Sequence, residues 1–137
     1  VILTMTPPSA AEFKALYDQT GWAEFPEATF ADALAGSWIV CTARDEDGTL
    51  LGMGRLISDG VLHAFVTEML VADRSRGQGT GARILEELVR ASKARGVEDI
   101  QLFAAQDRAA FYERNGFRRR PDRAPGMDIA AEAEHAR

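Results

Sequence analysis

Cysteine is nearly absent from this chain. A lone thiol, Cys41, cannot form an intrachain disulfide, so nothing calls for an oxidising compartment and the cytoplasm is the expected location. Histidine is almost as scarce, at two residues. No pair of His or Cys has metal-ligand spacing, so no metal site is expected; His63 reads as a strand-surface residue and Cys41 as buried filler. Long hydrophobic runs are missing too. No apolar stretch approaches the roughly 18 residues of a membrane span, and Val1 to Met5 lacks the basic lead of a signal peptide. A basic excess is also lacking: 16 Lys and Arg stand against 21 Asp and Glu, for a net charge of −5. That balance argues against nucleic acid as the main partner.

What is there suits an ordinary globular protein, 46% hydrophobic and 27% charged. A chain of 137 residues fits one domain with a real core, and from about Ala130 it reads as a polar, loosely ordered tail. Charge is unevenly placed. Residues 1–73 carry 3 basic and 11 acidic side chains, whereas residues 74–137 carry 13 and 10. An anionic ligand suits the second half and a cationic one the first.

Val1 to Met5 suits a strand, broken by Pro7-Pro8-Ser9 before a helix with capping-box spacing between Ser9 and Glu12. Phe13, Leu16 and Tyr17 form its apolar face. A second helix is expected from Thr29, with Phe30, Ala33 and Leu34 inward and a stop at Gly36. Strands follow: Trp38 to Arg44, Leu50 to Ser58 and Val61 to Val71, joined by Asp45-Glu46-Asp47-Gly48 and Asp59-Gly60 turns into an antiparallel meander. Ile84, Leu85, Leu88, Val89 and Ser92 then share a helical face that ends near Gly96. Ile100 to Ala104 is read as a strand, and Asp107 as the cap of a helix through Arg114 that Asn115-Gly116 ends.

Between meander and helix lies ADRSRGQGTGARILEELV, Ala72 to Val89. A glycine-rich turn opening a helix exposes unpaired N–H groups and favours phosphate. Gly77-x-Gly79-x-x-Ala82 formally matches a dinucleotide-binding fingerprint, but the context fails: a meander precedes it, and Glu98 and Asp99 come before the next strand instead of ending it. No Lys-Ser or Lys-Thr follows the glycines, which excludes a P-loop. The pattern R-x-x-G-x-G fits in two registers, from Arg74 or from Arg76, and the second puts Gly81 at the helix start. Arg83 and no acid occupies the first helical turn, which favours an anion there independently.

With Arg76-Gly77-Gln78-Gly79-Thr80-Gly81 after an apolar strand, and AAFYERNGF at Ala109 to Phe117, the sequence resembles the GCN5-related N-acetyltransferase (GNAT) superfamily. GWAEFPEATFADALAGSWIV, LLGMGRLISDG and RPDRAPGM extend the resemblance from about Gly21 to Met127, toward a branch with plant chloroplast serotonin N-acetyltransferase-like proteins and small bacterial acetyltransferases. It implies an α+β fold: α/β/α layers, with a central mixed, mostly antiparallel sheet, a splayed strand pair and helices on both faces. It also implies acetyl-CoA as cosubstrate and acetyl transfer to the primary amine of a small molecule, with a protein lysine as the other acceptor. Members often form homodimers.

By the resemblance, Arg76 and the N–H groups of Gly77, Gln78, Gly79, Thr80 and Gly81 would hold the pyrophosphate. Met69, Leu70 and Val71 would pair with the pantetheine amides. Phe111 and Tyr112 would lie against the cofactor, with Tyr112 protonating the departing thiolate. Glu68 is the titratable group placed to take the amine proton; in a regular strand Thr67 and Glu68 face opposite sides, so both reach the acceptor only if a bulge intervenes. Trp22, Arg55 and Asp59 lie in segments that line the acceptor side in relatives. One position departs from the branch: Ala105 stands where an Asp or Asn precedes the tyrosine by seven residues. That departure keeps a second reading open, a catalytically silent acyl-CoA-binding module.

Overall fold

A computed structural model describes residues 1–130, so the expected tail lies outside the described residues. The described residues fall into two compact units, the first Val1–Leu102 and the second from Phe103 onward. The first contains β1 (Ile2–Thr4), α1 (Ala10–Asp18), α2 (Glu27–Ala35), β2 (Ile39–Arg44), β3 (Leu50–Ser58), β4 (Ala64–Val71), a 3-10 turn (Asp73–Ser75), α3 (Thr80–Ala94) and β5 (Ile100–Gln101). The second contains α4 (Ala109–Arg114).

The sheet runs β1-β2-β3-β4-β5, antiparallel except for the parallel pair β4 and β5. Alternation along the strands divides its side chains between two helical layers. Val40, Met53 and Leu70 join Phe13, Leu16, Tyr17 and Phe30 of α1 and α2 in one core. On the opposite face Gly52 and Gly54 admit α3, whose Ile84, Leu85 and Leu88 are at most 1% exposed. Each such side chain contributes about 1.5–3 kcal/mol by leaving water. The mixed α+β sheet with helices on both faces is the architecture expected from the sequence.

α1 starts as its sequence predicts. Ser9 Oγ accepts the Glu12 N–H at 3.1 Å, and Glu12 Oε1 accepts the Ser9 N–H at 2.9 Å. The same carboxylate takes both Arg44 Nη atoms, at 2.6 and 2.9 Å, which fastens α1 to β2. The Arg44 hydrogen bonds, followed by those from Ser9, outweigh desolvation and hold the Glu12 carboxyl down at about 2, against an ordinary value near 4.5. Its stabilisation is therefore complete above pH about 4.5 and disappears as pH falls toward 2. Because the Glu12 side chain is 35% exposed, solvent screening reduces the contribution to about 1 kcal/mol. Urea unfolding at pH 7 should find Glu12→Gln less stable by about that amount, and the gap should close on acidification. A pH-independent gap would refute the assignment.

Several boundaries differ from expectation; β1 and β2 start one residue late, at Ile2 and Ile39, and β1 ends one early, at Thr4. α2 begins at Glu27 and not Thr29, because Pro26 takes the N-cap with its φ already at −68°. β4 begins at Ala64 and not Val61: Asp59 Oδ1 accepts the N–H groups of Val61 (2.9 Å), Leu62 (2.8 Å) and His63 (3.3 Å), winding them into a turn. β5 stops at Gln101, short of Ala104. Asp107 does not cap α4; it sits at φ +64°, the Arg108 N–H donates to Ala105 O at 3.0 Å, and that turn moves the N-cap to Arg108. At the helix ends sequence and structure agree. Gly96 and Gly116, at φ +86° and +94°, follow α3 and α4, and the next N–H groups, of Val97 and Phe117, reach back to Ser92 O and Tyr112 O.

Candidate active site

The register of β3 on β4 breaks at one place. Met53 pairs with Leu70 and Arg55 with Thr67, so Glu68 and Met69 together oppose Gly54 alone. This is a β-bulge, and Glu68 takes its left-handed position at φ +48°. Gly54 makes room for it: a Cβ there would lie 2.5 Å from Met69 Sδ and 2.8 Å from Leu88 Cδ1. With one residue inserted, Thr67, Glu68 and Leu70 belong to the α1/α2 face while Met69 turns toward α3. The condition under which Thr67 and Glu68 share a side is met; Thr67 Oγ1 donates to Glu68 Oε1 at 2.9 Å.

Glu68 Oε1 also accepts from Arg55 Nη2 at 3.1 Å, and both side chains are 11% exposed. Arg55 Nη1 donates to Ser37 Oγ (3.0 Å) and Ala33 O (3.3 Å) where α2 ends. The two residues assigned separately to acceptor binding and to base chemistry are thus one ion pair, and the guanidinium's terminal nitrogens are engaged within the protein.

Beyond the bulge β4 has an open edge. β5 pairs with it only at Ala64 and Phe65, so from Val66 to Val71 that edge meets no strand among the described residues. This is the expected splay, and it exposes main-chain groups of Met69, Leu70 and Val71 to pairing by a ligand.

β4 then enters the glycine loop. Gly77 and Gly79 stand at φ +77° and +79°, and a Cβ on either would touch nothing within 4 Å, so backbone conformation alone demands glycine. Gly79 is the N-cap of α3, with no capping side chain and no acid in the first turn. The N–H groups that open this 15-residue helix favour an anion. Gly81 falls in that first turn, as the register from Arg76 requires. Thr80 contributes only main chain, because its hydroxyl is buried 3.4 Å from Ser75 Oγ. Arg76 and Gln78 are exposed, with Arg76 3.3 Å from Asp73. Gln19 at the end of α1 braces the approach by accepting the Asp73 N–H at 3.1 Å.

Trp22 packs edge-on against Tyr17, ring centroids 5.9 Å apart, beside the α1/α2 core. Asp59 commits Oδ1 to its own loop, and the N–H groups of Val61, Leu62 and then His63 hold its carboxyl below the usual range. Both side chains thus have partners within the chain itself. Sequence reasoning missed Gly54 and Ser37, and brought in Thr67 only on condition of a bulge. Gly54 carries the only signal, a glycine inside a strand.

In the second unit, Phe111 and Tyr112 rings stand 5.0 Å apart, with Phe117 5.9 Å beyond Tyr112. Burial raises the Tyr112 phenol above its ordinary value, only partly offset by Arg108, and so keeps it protonated at neutral pH. Cys41 is fully buried, and desolvation followed by Glu87 pushes its thiol up to about 11, which makes it inert.

Residues 36–119 match the family described as Acetyltransferase (GNAT) domain. The chain belongs to the GNAT acetyltransferase family. Among curated GNAT relatives, histone acetyltransferase TAP1 of Glycine max is 32% identical over 126 residues, covering 85% of this chain and 54% of its own length. GCN5-related N-acetyltransferase 2, chloroplastic, of Arabidopsis thaliana is 32% identical over 135 residues, covering 85% and 52%. The chain thus spans about half the length of these relatives. In fold it is similar to SA2161, a probable acetyltransferase from meticillin-resistant Staphylococcus aureus, with TM-score 0.83, 24% identity and coverage of 95% and 98%.

Proposed function

We propose that this chain transfers the acetyl group of acetyl-CoA to the primary amine of a small molecule. One observation carries the reading: a bulged strand with a largely buried carboxylate and an open edge leads, through one 3-10 turn, into a glycine loop prepared for an anion. The residues suit the cosubstrate, with Arg76 and the N–H groups of Gly77 to Gly81 for its pyrophosphate and the edge of Met69, Leu70 and Val71 for its amides. Acetyl-CoA supplies an activated acyl group and leaves as a thiol. Glu68 accepts the proton that the attacking amine sheds, and Tyr112 donates one to the sulfur. The excess of acid in residues 1–73 draws a cationic amine toward this half of the chain.

The test is thiol release from acetyl-CoA with serotonin, spermidine and a lysine-bearing peptide. Buried Cys41 keeps the protein's own thiol silent in this assay. Release with either free amine above the buffer rate supports the proposal; release with the peptide alone moves the acceptor to a protein lysine. CoA binding without release favours the silent module that Ala105 suggests. In an enzyme, Tyr112→Phe should lower kcat by roughly 10-fold or more while CoA affinity holds.

A further inference from the structure

We propose that Arg55 is a positioning residue, which fixes the Glu68 carboxylate at the bulge and does not touch the acceptor. The inference rests on the reading of Glu68 as the base. A non-glycine residue at φ +48° is strained and persists only where its surroundings hold it. Two donors meet the Glu68 side chain, Thr67 Oγ1 and Arg55 Nη2, and both go to Oε1. Among the described residues none donates to Oε2, so the pairing leaves one carboxylate oxygen for chemistry while the other is anchored.

Arg55 is itself held. Nη1 reaches Ser37 Oγ and Ala33 O, and Ser37 Oγ donates in turn to Ala33 O at 2.7 Å, closing a small network on the end of α2. The guanidinium spans from α2 to the bulge: Nη1, fixed on Ser37 and Ala33, holds Nη2 at Glu68 Oε1, and Thr67 Oγ1 meets the same oxygen as second anchor. Its Nε is buried without a hydrogen-bond partner. Arg55 therefore makes fewer bonds than burial demands, a cost expected where geometry at a site matters more than stability. Lysine, with one ammonium, cannot reach Ser37 and Glu68 in the same planar arrangement.

Arg55→Gln, Arg55→Lys, Glu68→Gln and the double variant Arg55→Gln/Glu68→Gln separate the alternatives. In the wild-type chain the amine turned over fastest in the panel serves as acceptor. Arg55→Gln should lower kcat roughly 10- to 100-fold, with KM and the calorimetric Kd for CoA within about 3-fold. Arg55→Lys should restore charge but not the two-point reach to Ser37 and Glu68, recovering kcat only in part. In the Glu68→Gln background the Arg55 change should cost little more, since its effect passes through Glu68. A raised KM at unchanged kcat would make Arg55 an acceptor ligand and overturn the proposal, as would fully additive losses in the double variant. Amide NMR supplies a readout independent of turnover: Arg55→Gln and Glu68→Gln should shift the same resonances, from Thr67 to Leu70. If the wild-type chain acetylates no amine, the acetyltransferase reading fails by itself. Unmoved bulge amides in Arg55→Gln would then still refute the positioning role.

Discussion

Gly54→Val should destabilise the chain by roughly 3 kcal/mol and abolish turnover in whatever fraction remains folded. The first methyl-sized atom alone would lie 2.5 Å from Met69 Sδ, 2.8 Å from Leu88 Cδ1 and 3.0 Å from Ile84 Cγ2. Met69 and Leu88 can swing away at modest cost, so Gly54→Ala is the milder variant, losing about 1 kcal/mol. Valine adds two branches where α3 already fills the space, and the bulge has to yield. Returning β4 to regular alternation would carry Glu68 to the other face and part it from Arg55 and Thr67. Denaturant unfolding measures the first effect, and thiol release from the soluble fraction measures the second. Folded, active Gly54→Val protein would show that the bulge does not depend on the missing Cβ.

The contrast between Gly54 and the other elements shows where sequence reading stopped. Helices α1 and α3 were legible because their signals are local: a capping box at Ser9 and Glu12, an apolar face through Ile84, Leu85 and Leu88, and a left-handed glycine after each cap that used one. The strand β3 was located to the residue. The bulge was not, because nothing local to Thr67-Glu68-Met69 announces it; it arises from pairing with a glycine 14 residues away, between partners that only the fold brings together. The same holds for Arg55. The resemblance of its segment suggested an acceptor ligand, but its bonds to Ala33, Ser37 and Glu68 join α2 to two strands that only the fold brings together. Asp107, expected as the cap of α4, was misplaced for a related reason. Aspartate at a turn serves either a ligand or the backbone, and the choice lies with the neighbouring N–H groups.

Gly79→Val should weaken CoA binding by roughly 30- to 100-fold while removing only about 1–2 kcal/mol of stability, the reverse of the balance at Gly54. Space is no obstacle here, since a Cβ at Gly79 meets nothing within 4 Å. The obstacle is φ +79°, which a β-branched residue strongly avoids. The loop relieves that strain by rotating Gly79 toward negative φ, and this rotation turns the N–H groups that open α3 away from a common point. An exposed loop can make such a change with little loss of core, which is why stability suffers less than binding. Gly77→Val, at φ +77° and equally open, should behave alike but more weakly, because Gly77 lies outside the helical turn. Calorimetry with CoA reads the affinity and thermal unfolding reads the stability. Losses in proportion at both positions would mean that the loop is part of the folding core and that its glycines serve packing. Unchanged affinity in a folded Gly79→Val chain would remove the loop from the phosphate site altogether.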